Sequence, residues 1–164
     1  ALVHFVDGPR RVGTVVAADA RRDVALIAID PVDPVLALPM RLDPVRVGEA
    51  VAAIGAPQTE WLSGTVSLGT VSALRDVPFP GYGGQRYIQA DTPIVGGNSG
   101  GPLVDAQGNV VGIAVAGLAD PQGGRTHLNL FVPIADALAA LGLSLPHAAS
   151  SGVPAGASEG PARP

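Results

Sequence analysis

Gly96-Gly97-Asn98-Ser99-Gly100-Gly101-Pro102-Leu103 is the stretch on which the reading of this chain turns. A serine that acts as a nucleophile needs an exposed hydroxyl beside backbone N–H groups free to bind an oxyanion. Glycines on both sides permit the tight backbone geometry this requires. Taken alone, the string is as well explained by an ordinary glycine-rich turn between two strands. The surrounding sequence decides between the two readings.

Downstream of the serine, residues 101–104, 110–115 and 128–132 are short apolar runs that read as strands, separated by turn chemistry such as Gln107-Gly108-Asn109. Pro133 fits the first turn of a helix, and Ile134, Ala137, Leu138 and Leu141 recur on one face before Gly142. From 146 to 164 the chain is mostly Ala, Ser, Gly and Pro, too poor in large apolar groups to offset its ordering entropy. This end is expected to be a linker.

Upstream, residues 51–54, 64–74 and 86–90 are further strand candidates. Residues 30–44 hold four prolines, three of them in Asp-Pro steps, and read as a crossing loop with a boundary between two lobes near 42–48. Residues 24–29 are continuously apolar, which suits a strand buried inside a barrel, and Asp23 stands at its mouth. Residues 2–6 and 11–17 flank Asp7-Gly8, a hairpin signal.

Composition narrows the chemistry. With 164 residues the chain can bury a core, and its formal net charge of -4 gives no electrostatic footprint for nucleic acid or an anionic membrane. There are no cysteines, which excludes disulfides, thiol catalysis and cysteine metal sites. The three histidines lack ligand spacing, so no metal or other cofactor is expected. No apolar run reaches the roughly 18 to 20 residues that span a bilayer. Chemistry is left to Ser, His, Asp or Glu.

Against this background Gly97-Asn98-Ser99-Gly100-Gly101-Pro102-Leu103 resembles the nucleophile motif of trypsin-like serine peptidases of the HtrA branch. Other segments agree in order. Arg22-Asp23-Val24-Ala25-Leu26-Ile27 resembles the catalytic-aspartate strand, and Val47-Gly48-Glu49 through Ile54-Gly55-Ala56-Pro57 the entry into the second barrel. Gly69-Thr70-Val71-Ser72-Ala73-Leu74 and Phe131-Val132-Pro133-Ile134 match as well, so the resemblance covers about residues 2 to 143.

The resemblance implies an all-β, two-lobed, chymotrypsin-like double β-barrel with an incomplete first barrel and a short C-terminal helix. Residues 1–44 would be the remainder of the first barrel, 45–132 the second and 133–143 the helix, together a peptidase domain at 1–143, with a disordered linker at 144–164. It implies Ser99 as nucleophile, the N–H groups of Gly97 and Ser99 as oxyanion hole, and Asp23 orienting a histidine. Asp23 by itself is equally a turn residue before a strand. Asn98 replaces the aspartate with which digestive relatives receive a newly cut N-terminus, so activation by N-terminal cleavage is not expected.

The catalytic histidine of this family precedes the aspartate in an Ala-His-containing motif, and no such motif precedes Asp23. His4 lies in a strand before a turn, His127 near the pocket strand and His147 in the tail, and none is assigned to the triad. The chain, which starts at Ala1 inside a strand-like segment, reads as a truncated active protease, the alternative being a non-catalytic peptide-binding module. By itself it is expected to show no more than residual hydrolysis.

By the same resemblance Pro93-Ile94-Val95 forms the pocket floor, with Ile94 pointing to a small or medium aliphatic P1 residue. Val115, Ala116 and Gly117 would pair with the substrate backbone. The implied function is a serine endopeptidase acting on extended or unfolded polypeptides outside the cytoplasm, in the periplasm or cell envelope. A homo-oligomer and a regulatory domain beyond the linker, such as a PDZ module, stay open.

Overall fold

The computed structural model describes residues 1–5, 8, 10–31, 37–57, 62–77, 85–119, 122 and 125–144. In its first part β1 (Leu2–His4) pairs antiparallel with β2 (Arg10–Val12), and the Gly8 N–H donates to the Phe5 carbonyl in the turn. Asp7, half of the hairpin signal, lies outside the described residues. The run expected as one strand over 11–17 is divided at Gly13, whose N–H donates to the Ala1 carbonyl. A second pair follows, β3 (Thr14–Asp19) with β4 (Val24–Ala28).

The apolar run at 24–29 does form a strand, but it is not buried inside a barrel as its sequence suggests. Only Val24 of β4 is buried, and Ile27 is 40% exposed. Among the described residues β4 has one strand partner, β3, and four of its five residues are half-buried or exposed. A continuous apolar run specifies two faces that favour burial, not the presence of something to bury them.

Six strands then close on themselves. They are β5 (Ala50–Gly55), β6 (Thr65–Val77), β7 (Gln85–Ala90), β8 (Pro102–Asp105), β9 (Val110–Ala119) and β10 (Arg125–Pro133), in the order β10-β7-β6-β5-β8-β9. Closure gives every strand two neighbours, so an open edge is left only where a strand runs on past its partner. Alternate residues point inward, so Val51 and Ala53 of β5 meet Val71, Ala90, Leu103 and Phe131 in the barrel core. Burying an apolar side chain of Leu or Phe size contributes about 1.5–3 kcal/mol, and this interior is the main source of stability.

The helix α1 (Ile134–Ala140) follows β10 directly, with Pro133 in the preceding cap position rather than the first turn. Ile134 and Ala137 are buried and Leu138 and Leu141 partly so, as the helical spacing requires. Its end is closed by the Gly142 N–H to the Ala139 carbonyl and the Leu143 N–H to the Leu138 carbonyl, the paired bonds of a Schellman motif. Ala137 packs with Leu130 and Val132 on the outer wall of the barrel, where Val24 and Tyr87 join them.

Between the two parts, the crossing loop is fastened by charge. Arg41 donates to both carboxylate oxygens of Glu49 at 3.0 and 3.1 Å, to Asp105 at 3.4 Å and to the Pro44 carbonyl at 3.1 Å. Asp105 also accepts from the Gln107 and Asn109 N–H groups and from the Asn109 side chain. Burial pushes the Asp105 carboxyl up, but the hydrogen bonds from Asn109, Gln107 and Arg41 outweigh it and hold the group below its usual range. The Arg41 hydrogen bond does the same for Glu49, against a smaller effect of burial.

Candidate functional site

In the barrel β7 stands beside β10 and β8 beside β5, so the segment joining them must cross the barrel mouth. Asp91 fixes its start, accepting from the Thr70 N–H and donating its own N–H to the Thr70 carbonyl. At its far end the Gly100 N–H donates to the Ala114 carbonyl at 2.8 Å and the Ala114 N–H to the Gly101 carbonyl at 2.9 Å. Between them the Asn98 N–H reaches the Val95 carbonyl and the Gly101 N–H the Asn98 carbonyl. Ser99 is thus exposed on a turn whose two flanks are held to the barrel.

Gly97 has φ 100, a conformation nearly closed to residues with a side chain, which explains the glycine there. Among the described residues no acceptor takes the N–H of Gly97 or of Ser99. The Ser99 hydroxyl donates to the Val115 carbonyl at 3.4 Å, a long and weak bond that leaves it available. Asn98, by contrast, turns inward and is 3% exposed. It packs onto Gly55, where an added Cβ would lie 2.5 Å from Asn98 Oδ1.

The strand facing Ser99 is β9. Its register with β10 steps from Leu130↔Ala116 to Phe131↔Ala114, so Val115 is the extra residue of a bulge, which explains how its carbonyl comes to face the serine. The pairing of β9 with β8 reaches only to Ile113. Beyond Ala114 the side of β9 away from β10, at Val115, Ala116 and Gly117, has no strand against it among the described residues. Such an edge offers its backbone groups to an added extended peptide.

Ile94, from the segment across the mouth, is partly buried against the barrel core, and its carbonyl oxygen lies 3.8 Å from the Cβ position of Gly117. The structure therefore brings Ser99, Gly97, Ile94, Val115, Ala116 and Gly117 to one end of the barrel. Sequence reasoning did not single out Asn129 or Thr92, both buried at this end. Asn129 Nδ2 donates to the Thr92 carbonyl at 2.7 Å. The signal that was available is a lone carboxamide inside the apolar run Leu128-Asn129-Leu130-Phe131.

Asp23 is placed differently. It is exposed with φ 56, in a turn stabilised by the Asp19 carboxylate, which accepts the Arg21 and Arg22 N–H groups at 2.8 Å. That turn docks on the barrel wall through Arg22, which bonds the Arg86 carbonyl at 3.4 Å and Asp136 at 3.3 Å, and through the Gln85 side chain on the Arg21 carbonyl. Among the described residues no contact joins Asp23 to Ser99. His4 pairs with Arg10 across the first hairpin, His127 lies in β10, and His147 is outside the described residues.

A recess of about 70 Å³ between the crossing loop and the first turn of α1 has none of the six clustered residues in its wall, nor Asp23. It is well below the ~300 Å³ of a typical ligand pocket and carries no chemistry.

Residues 1–113 match the trypsin-like peptidase domain family. The chain is 38% identical over 132 residues to the periplasmic serine endoprotease DegP of Escherichia coli K12, an alignment covering 80% of this chain and 27% of DegP. It is also 38% identical over 145 residues to the serine protease PepD of Mycobacterium tuberculosis, covering 80% of this chain and 31% of that protein. It therefore spans less than a third of these curated relatives. Among solved structures, the HtrA-type protease AlgW with a decapeptide superposes with a TM-score of 0.73 at 32% identity, covering 86% of this chain and 42% of AlgW.

Proposed function

The chain belongs to the trypsin-like peptidase family, and on that premise we propose that it carries the nucleophile and substrate cleft of an HtrA-type serine endopeptidase acting on extended or unfolded polypeptides. The observation that carries this reading is the exposed Ser99 hydroxyl beside two backbone N–H groups and a strand edge that, among the described residues, have no hydrogen-bond partner and no covering strand. A peptide added along Val115 to Gly117 would bring a carbonyl carbon to Ser99 Oγ. The Gly97 and Ser99 N–H groups would receive the developing oxyanion, each such donor being worth about 2.7–4 kcal/mol in the transition state.

In the proposed reaction Ser99 Oγ bonds to the carbonyl carbon while a histidine takes its proton and passes it to the departing amine. Water then cleaves the acyl-enzyme by the same route in reverse. Asp23 is assigned the task of orienting that histidine and stabilising its cationic form. The name of DegP supports an extracytoplasmic setting. A second reading, peptide binding without cleavage, is favoured by one fact: Ser99 Oγ donates to the Val115 carbonyl and to no histidine among the described side chains.

The gene's full reading frame, assayed on an unfolded protein, separates the two. Hydrolysis is expected, falling by at least about a thousandfold in Ser99→Ala. Saturable binding of the unfolded chain with no cleavage in either protein would establish the binding reading instead.

A further inference from the structure

We propose that Asn129 sets the primary specificity of the cleft, its carboxamide closing the pocket beside Ser99 so that only a side chain of about alanine size is accepted there. This rests on the peptide-cleft reading above and sharpens it, since Pro93-Ile94-Val95 alone points to small or medium aliphatic groups.

A peptide extended along the free edge of β9 sends the side chain next to its reacting carbonyl between two walls, the segment with Ile94 and the strand at Val115 to Gly117. Gly117 offers no side chain, and its Cβ position shows what stands opposite: Asn129 Oδ1 at 2.9 Å and the Ile94 carbonyl at 3.8 Å. The space a side chain would take at Gly117 is therefore filled by a carboxamide. Asn129 pairs with Gly117 on one side and Ala90 on the other, and is 3% exposed. It is also held in place. Nδ2 donates to the carbonyl of Thr92, a residue with 0% exposure, and swinging the amide aside would break a buried hydrogen bond. A leucine or phenylalanine side chain would have to displace this group, whereas a methyl group would not.

The test is equilibrium binding to the unmodified chain, by fluorescence anisotropy, of labelled tetrapeptides with a free carboxylate that differ only in the last residue: Ala, Leu or Phe. The alanine peptide is expected to bind at least about tenfold tighter than the leucine peptide, the scale on which pocket size discriminates. In Asn129→Ala, and more weakly in Asn129→Ser, the preference should move toward leucine. Equal or tighter binding of leucine by the unmodified chain, or a ratio unchanged in folded Asn129→Ala, overturns the proposal and leaves the cleft reading standing. Saturable binding of none of the three overturns the cleft reading and the proposal together. If Asn129→Ala does not fold, the series on the unmodified chain decides alone.

Discussion

Asn98 and Ser99 are adjacent in the chain and opposite in environment, the first 3% exposed against Gly55 and the second open to solvent. The position of the hydroxyl is thus set by how closely its neighbour can approach β5. A methyl group on residue 55 would meet Asn98 Oδ1 at 2.5 Å, and the turn would have to rise. Displacing a reacting atom by about 1 Å can cost a hundredfold in rate. Gly55→Ala in the full reading frame is accordingly expected to lower kcat/KM about a hundredfold while the protein stays folded by circular dichroism. An unchanged rate would mean that Asn98 does not hold the turn.

At the scale of elements, the crossing loop and the β8–β9 turn are tied by Arg41, Glu49 and Asp105. Asp105→Ala would leave the Asn109 side chain and the part-buried N–H groups of Gln107 and Asn109 without their acceptor, a loss expected to destabilise the chain by about 1–2 kcal/mol in urea titration. The sign of the pH effect follows from the two carboxyls, both held below their usual values in the folded state. Their stabilisation is complete above the unfolded values of about 4 and is lost as pH falls through the lower, folded ones. Melting temperature should therefore drop between about pH 5 and pH 2, and the drop should be shallower in Asp105→Asn. An equal pH dependence in both proteins would remove Asp105 from the account.

For the molecule as a whole, packing is uneven. The barrel of β5 to β10 surrounds a continuous core, whereas β1 to β4 form two separate hairpins on which Leu2, Val12, Val15 and Val16 are more than half exposed. Opening free energy follows buried contact, so amides of β1 to β4 are expected to exchange with deuterium at least about tenfold faster than those of β5 to β10. Uniform protection would show that the hairpins are covered in solution by another surface. Among the described residues their link to the barrel runs through Val24 in the outer cluster, Arg22 on Asp136 and the Arg86 carbonyl, and the Gln85 side chain on the Arg21 carbonyl, so on this expectation the proposed partners Asp23 and Ser99 stand on bodies of unequal stability.

The sequence by itself determined the elements and the family. Apolar runs of strand length broken by Gly, Pro and Asn marked β5 to β10 to within a few residues, helical spacing marked α1, and the glycines around Ser99 marked the exposed turn between β7 and β8. These are local properties, set by backbone sterics and by the period of side-chain burial. Only the tertiary structure decided what lies against what. The apolar β4 looked like barrel interior, but burial depends on a partner layer that no run of residues encodes. Asn129 stood out in the sequence only as a lone carboxamide in an apolar run, because its surroundings come from Thr92 and Gly117, distant in the chain or on another strand and brought opposite it by the register of β9 and β10. Barrel closure selects that register, since a slip of one residue would turn every inward side chain outward.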